Sequence, residues 1–380
     1  MGRLTFWKNR RPICHRFRLS SIFRITPIEL RLKHTQISKY LILKSNTMSY
    51  TKYSLFLLSF LTFSCADLII GEDLESTDAR ANFEYLWNEC NEKYTFFELK
   101  EIDWQEVFDI YSALINDGMT EEALFRTLGD MLNELEDGHV NLVSDFNVSF
   151  FPFDLERPDN FDFRIIEDHY LPRDYFISGP FRHDFIADGE VGYIRFPAFT
   201  GTVAEDNLGF VLERYQDTKG LIFDLRENGG GSASDAFRLL GRFVESEQVV
   251  FRSRIKSGVG PNDFSPLEDA VVRPIGATRF TGKVMVLVDR GTFSAGSFFA
   301  LATKTIPNMT LVGDITGGGL GAPNGGQLPN GWTYRFSITQ TLDLDGNNFE
   351  NGVPVDIEAF LNLEDRTKDE VIERALEELL

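Results

Sequence analysis

The chain has 380 residues, of which 43% are hydrophobic and 13% aromatic, so it is long enough to bury a sizeable core. Its formal net charge is −20. Because residues 1–47 carry eleven Lys and Arg but only one acidic residue, the rest of the chain is even more acidic than the whole. Such an acidic body binds nucleic acids and anionic lipid headgroups poorly, which excludes both as principal partners.

Residues 48–65, MSYTKYSLFLLSFLTFSC, have the features of a second translation start followed by an export signal. Lys52 precedes an apolar run that is too short to span a bilayer as a helix, and Cys65 follows the small residue Ser64. We interpret the segment as a bacterial lipoprotein signal peptide with Cys65 as the lipidated residue. A plain signal peptide and a buried segment are the alternatives. On the first interpretation residues 1–47 are an over-long gene start, and the lipid on Cys65 is the only membrane contact of an extracytoplasmic protein.

An acidic tether at 66–76 is followed by three predicted helices. Apolar residues recur at helical spacing, and Asp103 and Thr120 stand where helix N-caps are expected. The third helix stops at Asp137-Gly138-His139. The sequence therefore predicts a small helical domain over 77–139 that ends in a histidine.

Residues 140–190 show no long periodicity and are predicted to be an irregular connecting region. Beyond them, continuous apolar runs at 191–196, 221–226 and 284–289 alternate with amphipathic stretches. This alternation is typical of an α/β domain whose parallel strands are covered on both faces. A last helix is predicted within 367–380, beginning at a Thr367/Glu370 capping box.

Ser294 follows the third apolar run, in VLVDRGTFSAG, and begins a helical stretch. A helix N-terminus offers free N–H groups and a partial positive charge, which stabilise a developing oxyanion. Serine is also an ordinary N-cap residue. The position alone therefore leaves two interpretations open, a nucleophile and a helix cap.

The segment DLRENGGGSA, residues 224–233, ends a strand in three glycines. Glycines expose backbone N–H groups with no side chain in the way, as an oxyanion hole requires, although a flexible turn would look the same. The segment is not a phosphate loop, because no GK[ST] follows. A calcium loop ending at Glu350 does not fit either, because Thr339 and Leu344 replace the required acid and glycine. We predict no metal and no cofactor.

A serine nucleophile needs a base, and few are available. After residue 65 the histidines are His139, His169 and His183, and no lysine occurs between Lys304 and Lys368. His139 stands out because it leaves a helix abruptly within LEDGH. A structural or surface histidine is the alternative interpretation.

Five segments together resemble the C-terminal-processing (tail-specific) serine peptidase family: LEDGHVNL, GLIFDLRENGGG, VLVDRGTFSAG, TLVGDITGGG and FENGVPVDI, in this order over about 77–365. The resemblance implies an α/β catalytic domain of the crotonase/Clp-protease type, here 191–366. It also implies that Ser294 is the nucleophile. The amides of Gly229, Gly230 and Ala295 match the family's oxyanion hole.

Departures from the common pattern indicate where the chain lies within that family. Gly319 stands where the better-known branch has its lysine, so a Ser-Lys dyad is excluded. The tricorn-core-like branch instead pairs a histidine with a glutamate near the C-terminus, and these match His139 and Glu350. That branch has a serine before the histidine where this chain has Gly138. Residues 140–190 are also too few for the PDZ domain that many relatives carry.

The resulting hypothesis is a serine peptidase that hydrolyses peptide bonds of extracytoplasmic proteins or peptides. His139 would activate Ser294 for acyl transfer, and Glu350 would orient His139 or its neighbours. The rival hypothesis is an inactive protein on the same scaffold that binds peptides or hydrophobic ligands, suggested by Gly138 and Gly319. A crotonase-like acyl-CoA enzyme would leave Ser294 unexplained.

Overall fold

In this computed structural model, the residues described are 76–152, 158–200 and 203–380. The predicted gene start, the signal peptide with Cys65, and all but the last residue of the tether lie outside them. Within the described ranges, no helix is both long and apolar enough to cross a membrane.

The described residues form eight α-helices and fourteen strands. The helices are α1 Ala79–Lys93, α2 Trp104–Ser112, α3 Glu121–Asn133, α4 Phe163–His169, α5 Glu205–Arg214, α6 Ala233–Leu240, α7 Ala295–Thr303 and α8 Glu370–Leu379. The strands are β1 Asn141–Val143, β2 Val148–Phe150, β3 Phe176–Ser178, β4 Phe181–Ile186, β5 Val191–Arg195, β6 Gly220–Asp224, β7 Gln248–Ile255, β8 Glu268–Val272, β9 Lys283–Val288, β10 Met309–Gly313, β11 Pro323–Gln327, β12 Thr333–Ser337, β13 Thr339–Leu342 and β14 Ile357–Glu358.

A seven-stranded sheet in the order β14-β10-β9-β6-β5-β4-β3 forms the centre of the α/β part. The strands from β14 to β5 run parallel, and β4 and β3 add an antiparallel edge. In β9, Val284 and Val286 pack into the core on one face, while Met285 and Leu287 pack into the core on the other. Burial on both faces explains why these strands are apolar at successive positions.

Helices cover both faces of this sheet. One face carries α5, α6 and α7, and the other carries α4 and α8. Each large apolar side chain removed from water in such a core contributes roughly 1.5–3 kcal/mol. The predicted α/β fold, with its parallel strands covered on both sides, is confirmed.

The N-terminal helices α1, α2 and α3 share their core with a four-stranded sheet in the order β11-β12-β1-β2. Within β12, Tyr334 and Phe336 enter that core, whereas Arg335 and Ser337 alternate to the opposite side. Strand β12, from near the C-terminus of the sequence, is thus packed against the first helices of the described residues. Its other face is free to contact the segment that follows α3.

Residues 140–190 are predicted from the sequence to be irregular, and this prediction is wrong. They contain β1 to β4 and α4. These strands are three to six residues long, too short for a clear periodicity. In addition, β1 pairs with β12, a partner far away in the sequence.

The last helix begins later than the Thr367/Glu370 box predicts. Its N-cap is Asp369, whose side chain accepts hydrogen bonds from the backbone N–H groups of Val371 and Ile372. Fully buried Arg226 binds Asp369 at 2.9 Å and Asp224 at 2.7 Å. The acidic cap is therefore selected by a tertiary ion pair that ties α8 to the end of β6.

Candidate active site

The hydroxyl of Ser294 lies 2.9 Å from Nε2 of His139, across 155 residues of sequence. Ser294 precedes α7 with φ 53° and ψ −118°, and its side chain makes no capping hydrogen bond. Backbone conformations of this kind cost on the order of 1–3 kcal/mol and occur mainly at functional sites. Ser294 thus occupies the N-cap position, but its hydroxyl is directed to the imidazole and not to the helix.

The turn that carries Ser294 is held between two glycine-rich segments. The N–H of Phe293 donates to the carbonyl of Asn228 at 2.9 Å, and the N–H of Ser294 donates to the carbonyl of Gly318 at 3.0 Å. Thr292 completes the arrangement, because its hydroxyl donates to the carbonyl of Leu225 at 2.9 Å. Segments that are far apart in sequence thus fix the serine by backbone hydrogen bonds.

The three predicted oxyanion donors lie beside the serine, but they differ in whether the backbone N–H group already has an acceptor. The N–H of Gly230 donates to Oδ1 of Asn228 at 3.0 Å. For the N–H groups of Gly229 and Ala295, no acceptor lies within reach among the described residues. Two of the three amides therefore remain available to a developing negative charge.

His139 is 5% exposed and is held through its backbone. Its N–H donates to Oδ1 of Asp137 at 2.8 Å, and its carbonyl accepts from Nε of Arg335 at 3.2 Å. Burial lowers the pKa of His139 from 6.5 to about 4; Asp137 opposes this shift, whereas Arg335 and Lys100 add to it. At neutral pH the imidazole is uncharged, so Nε2 can accept the proton of Ser294.

Glu350 is also buried, but it is not a direct hydrogen-bond partner of the imidazole. Its Oε2 accepts the N–H of Gly321 at 2.8 Å, and no hydrogen bond joins it to His139 within the described ranges. Burial, reinforced by Asp137, raises the pKa of Glu350 well above its usual value. Burial therefore favours the uncharged form of this carboxyl group.

A cleft of about 570 Å³ opens over the paired side chains, and its walls include Gly229, Pro323 and Arg335. The other two predicted candidate bases lie elsewhere. His169 ends α4 on the surface. His183 is buried between the hydroxyls of Tyr215 at 2.7 Å and Ser178 at 2.9 Å, as a structural histidine would be. In the described part of the chain, no three His, Cys, Asp or Glu side chains cluster as metal ligands.

Comparison with known proteins identifies the family. The model for peptidase family S41 matches residues 190–359, and the model for the tricorn protease C1 domain matches 76–133. The solved structure of a candidate peptidase from Parabacteroides merdae is 38% identical, with a TM-score of 0.76, and the match covers 80% of this chain and 98% of that one. The chain belongs to peptidase family S41.

Two curated relatives agree with this family. The carboxy-terminal processing protease CtpA of Bacillus subtilis is 27% identical over 161 residues, which is 42% of this chain and 32% of CtpA. The tail-specific protease of Haemophilus influenzae is 26% identical over 134 residues, or 35% of this chain and 18% of the relative. The chain therefore matches a third or less of their lengths. The predicted family, of serine-type peptidases and hence hydrolases, is confirmed.

The surroundings of Gly319 leave no space for a side chain at this position. Gly319 has φ +71°, and a Cβ on it would lie 2.3 Å from the ring of Phe293. The same ring lies against His139, with 4.8 Å between the ring centroids. The space for a side chain at position 319 is thus filled by Phe293.

Two residues near the imidazole escaped the sequence analysis. Oδ1 of Asp137 lies 3.9 Å from Nδ1 of His139, and Oγ of Ser337 lies 3.5 Å from the same atom. Asp137 could have been noticed, because it belongs to the LEDGH segment. No sequence pattern points to Ser337, because it lies on β12, 198 residues from His139.

Proposed function

We propose that the protein is a serine peptidase that hydrolyses peptide bonds of extracytoplasmic proteins or peptides through an acyl-enzyme on Ser294. The observation that carries the proposal is the 2.9 Å contact between the Ser294 hydroxyl and Nε2 of a buried, uncharged His139. A nucleophile needs an adjacent base of this kind, because a serine hydroxyl is unreactive at neutral pH.

In the acylation step, Oγ of Ser294 attacks the carbonyl carbon of the scissile bond while its proton passes to Nε2 of His139. The carbonyl π electrons move to oxygen, and the N–H groups of Ala295 and Gly229 receive the oxyanion. When the intermediate collapses, the C–N bond breaks and the Nε2 proton goes to the leaving amine.

In the deacylation step, a water molecule attacks the acyl-enzyme and gives its proton to Nε2 of His139. Collapse of the second tetrahedral intermediate breaks the bond between Oγ and the acyl carbon, and the proton returns to Ser294. Asp137 supports both steps, because its carboxylate lies 3.9 Å from Nδ1 and favours the charged imidazolium.

Peptides and proteins are the substrate class that the family membership supports. We assign the protein an extracytoplasmic location because of the lipoprotein-like segment 48–65. Cys65 would then carry the lipid. Metabolic labelling with an alkyne fatty acid tests this assignment: the full chain should be labelled and Cys65→Ser should not, whereas equal labelling of both would contradict it.

The test of the peptidase proposal is hydrolysis of a library of unstructured peptides by the purified protein, with new termini detected by mass spectrometry. We expect cleavage that disappears in Ser294→Ala and in His139→Ala. Ser257→Ala and His169→Ala serve as matched controls, because both residues are exposed and neither lines the cleft.

Two results would contradict the proposal. Cleavage that persists in Ser294→Ala would show that another group or a contaminant is responsible. A folded parent protein that cleaves no peptide would favour the inactive peptide- or hydrophobic-ligand-binding protein instead.

A further inference from the structure

His139 can act on Ser294 only in one of its two neutral forms. Nε2 must be free to accept the serine proton, so the ring proton must reside on Nδ1. A proton on Nδ1 needs an acceptor, because a buried N–H without a partner costs about 1–3 kcal/mol. The groups around Nδ1 therefore decide whether the histidine is ready as a base.

Two described side chains lie near Nδ1, and they differ in what they can accept. Asp137 already receives the backbone N–H of His139 on Oδ1, and the 3.9 Å from this oxygen to Nδ1 exceeds hydrogen-bond reach. Asp137 thus acts on the ring as a charge. Oγ of Ser337, at 3.5 Å, is the nearer acceptor, at a distance that a small closing movement would shorten.

Ser337 is built into the site on a rigid element. It is fully buried, and it lies two residues after Arg335 on the same side of β12. Arg335 binds the carbonyl of His139 at 3.2 Å, so one strand contacts both the backbone and the ring of the histidine.

The hydrogen bond that Ser337 donates fixes the direction of the others. Its O–H donates to the carbonyl of Gly321 at 3.2 Å, which leaves the Oγ lone pairs directed to an incoming N–H. The resulting order is Ser294 O–H to Nε2, Nδ1–H to Ser337, and Ser337 O–H to Gly321. Within this order, the His139 ring and the Ser337 hydroxyl each accept one hydrogen bond and donate one, as a relay that selects one tautomer requires.

Gly321 also connects this relay to Glu350, whose Oε2 accepts the Gly321 N–H at 2.8 Å. A Cβ on Gly321 would lie 2.6 Å from Cβ of Ser337, so only glycine lets the two segments approach this closely. Glu350 thereby holds the peptide unit whose neighbouring carbonyl receives the Ser337 hydroxyl.

We propose that Ser337 is a positioning residue that holds His139 in the Nδ1-protonated form, and that Glu350 acts on the imidazole through Gly321 and Ser337. This inference rests on the proposed peptidase function. In this arrangement Glu350 does not contact the histidine directly.

The direct test is ¹⁵N NMR of the imidazole nitrogens of His139 in the full chain at pH 7, where the two tautomers have distinct shifts. His139→Gln identifies the signals. The parent protein is expected to be protonated at Nδ1, and Ser337→Ala is expected to shift the population toward the Nε2-protonated form. Ser337→Thr, which keeps a hydroxyl, is expected to retain the parent form. An Nε2-protonated parent protein, or the parent tautomer in a folded Ser337→Ala, would overturn the inference.

A kinetic readout complements the spectrum. The rate of modification by a fluorophosphonate, followed by intact mass from pH 3.5 to 8, should fall roughly tenfold or more in Ser337→Ala because the base is then in the wrong form. The charged and titratable groups facing the ring are Asp137, Glu350, Lys100 and Arg335, and all are unchanged in this variant. An unchanged rate and pH profile in Ser337→Ala would overturn the inference.

The two proposals fail in different ways. If the peptidase proposal is wrong, the parent protein is neither modified by the fluorophosphonate nor active on peptides, while the NMR tautomer still tests Ser337. If only the Ser337 inference is wrong, Ser294→Ala and His139→Ala lose reactivity but Ser337→Ala behaves as the parent does. Ser257→Ala, exposed and outside the cleft, is the serine control.

Discussion

Gly230 lies directly against Ser294: a Cβ on this glycine would come within 2.8 Å of the serine Cβ and within 2.8 Å of the Ala295 nitrogen. Its φ of +91° also belongs to the region that side chains rarely adopt. The glycine loop thus contacts the nucleophile and one oxyanion donor at the same point.

Gly230→Ala should therefore reduce the rate of Ser294 acylation by about 10²-fold, as expected when an oxyanion donor is displaced. Gly229→Ala is the matched variant, since a Cβ there meets no atom within 4 Å. It should reduce the rate far less. Fluorophosphonate kinetics on both folded variants would check this, and equal losses would contradict it.

His139 should remain an active base in mildly acidic solution. Its pKa is lowered to about 4, so the neutral form that accepts the Ser294 proton persists until the pH falls to that value. The acylation rate should then fall to half near pH 4. A titration of the rate against pH, with folding checked at each point by circular dichroism, tests this. Half-loss near the ordinary histidine value of 6.5 would contradict it.

Substitution of Gly319 should destabilise the fold, because the ring of Phe293 fills the space beside it. Gly319→Ala combines an unfavourable φ with a clash against the ring, whereas Gly346→Ala has φ +90° but no atom within 4 Å of its Cβ. Urea denaturation should show a loss of stability for Gly319→Ala that exceeds that of Gly346→Ala by about 1–3 kcal/mol. Equal losses would show that Phe293 moves aside freely.

Arg226 should contribute to stability rather than to catalysis. Arg226→Ala leaves Asp224 and Asp369 buried without their partner, and this should destabilise the fold by about 3–5 kcal/mol. Arg374→Ala, which removes more exposed pairs on the same α8, should cost less than about 1 kcal/mol. Urea denaturation measures both. A loss for Arg226→Ala as small as that for Arg374→Ala would contradict the role of this ion pair.

Much of the α/β fold was predictable because it depends on local sequence. Continuous apolar runs bounded by turns indicate a parallel sheet. The residues around Ser294 and those around His139 each lie within one contiguous stretch of sequence, so each motif can be recognised locally. The catalytic roles of these residues stay predictions, although the structure brings their side chains together.

What the sequence could not show depends on contacts between distant segments. Ser337 comes to His139 on a strand whose sequence, TYRFS, carries no chemical pattern. The Gly230 amide is occupied by Asn228 because of the three-dimensional path of the loop. Asp369 caps α8, where the local box favoured Thr367, because it also faces the buried Arg226.

The most direct test of the proposed Ser294–His139 mechanism is the intact mass of the purified protein after exposure to a fluorophosphonate, with peptide mapping of the modified site. We expect one adduct per chain, located on Ser294 and absent from both Ser294→Ala and His139→Ala. A folded parent protein that gains no adduct, or an adduct that persists in Ser294→Ala, would contradict it.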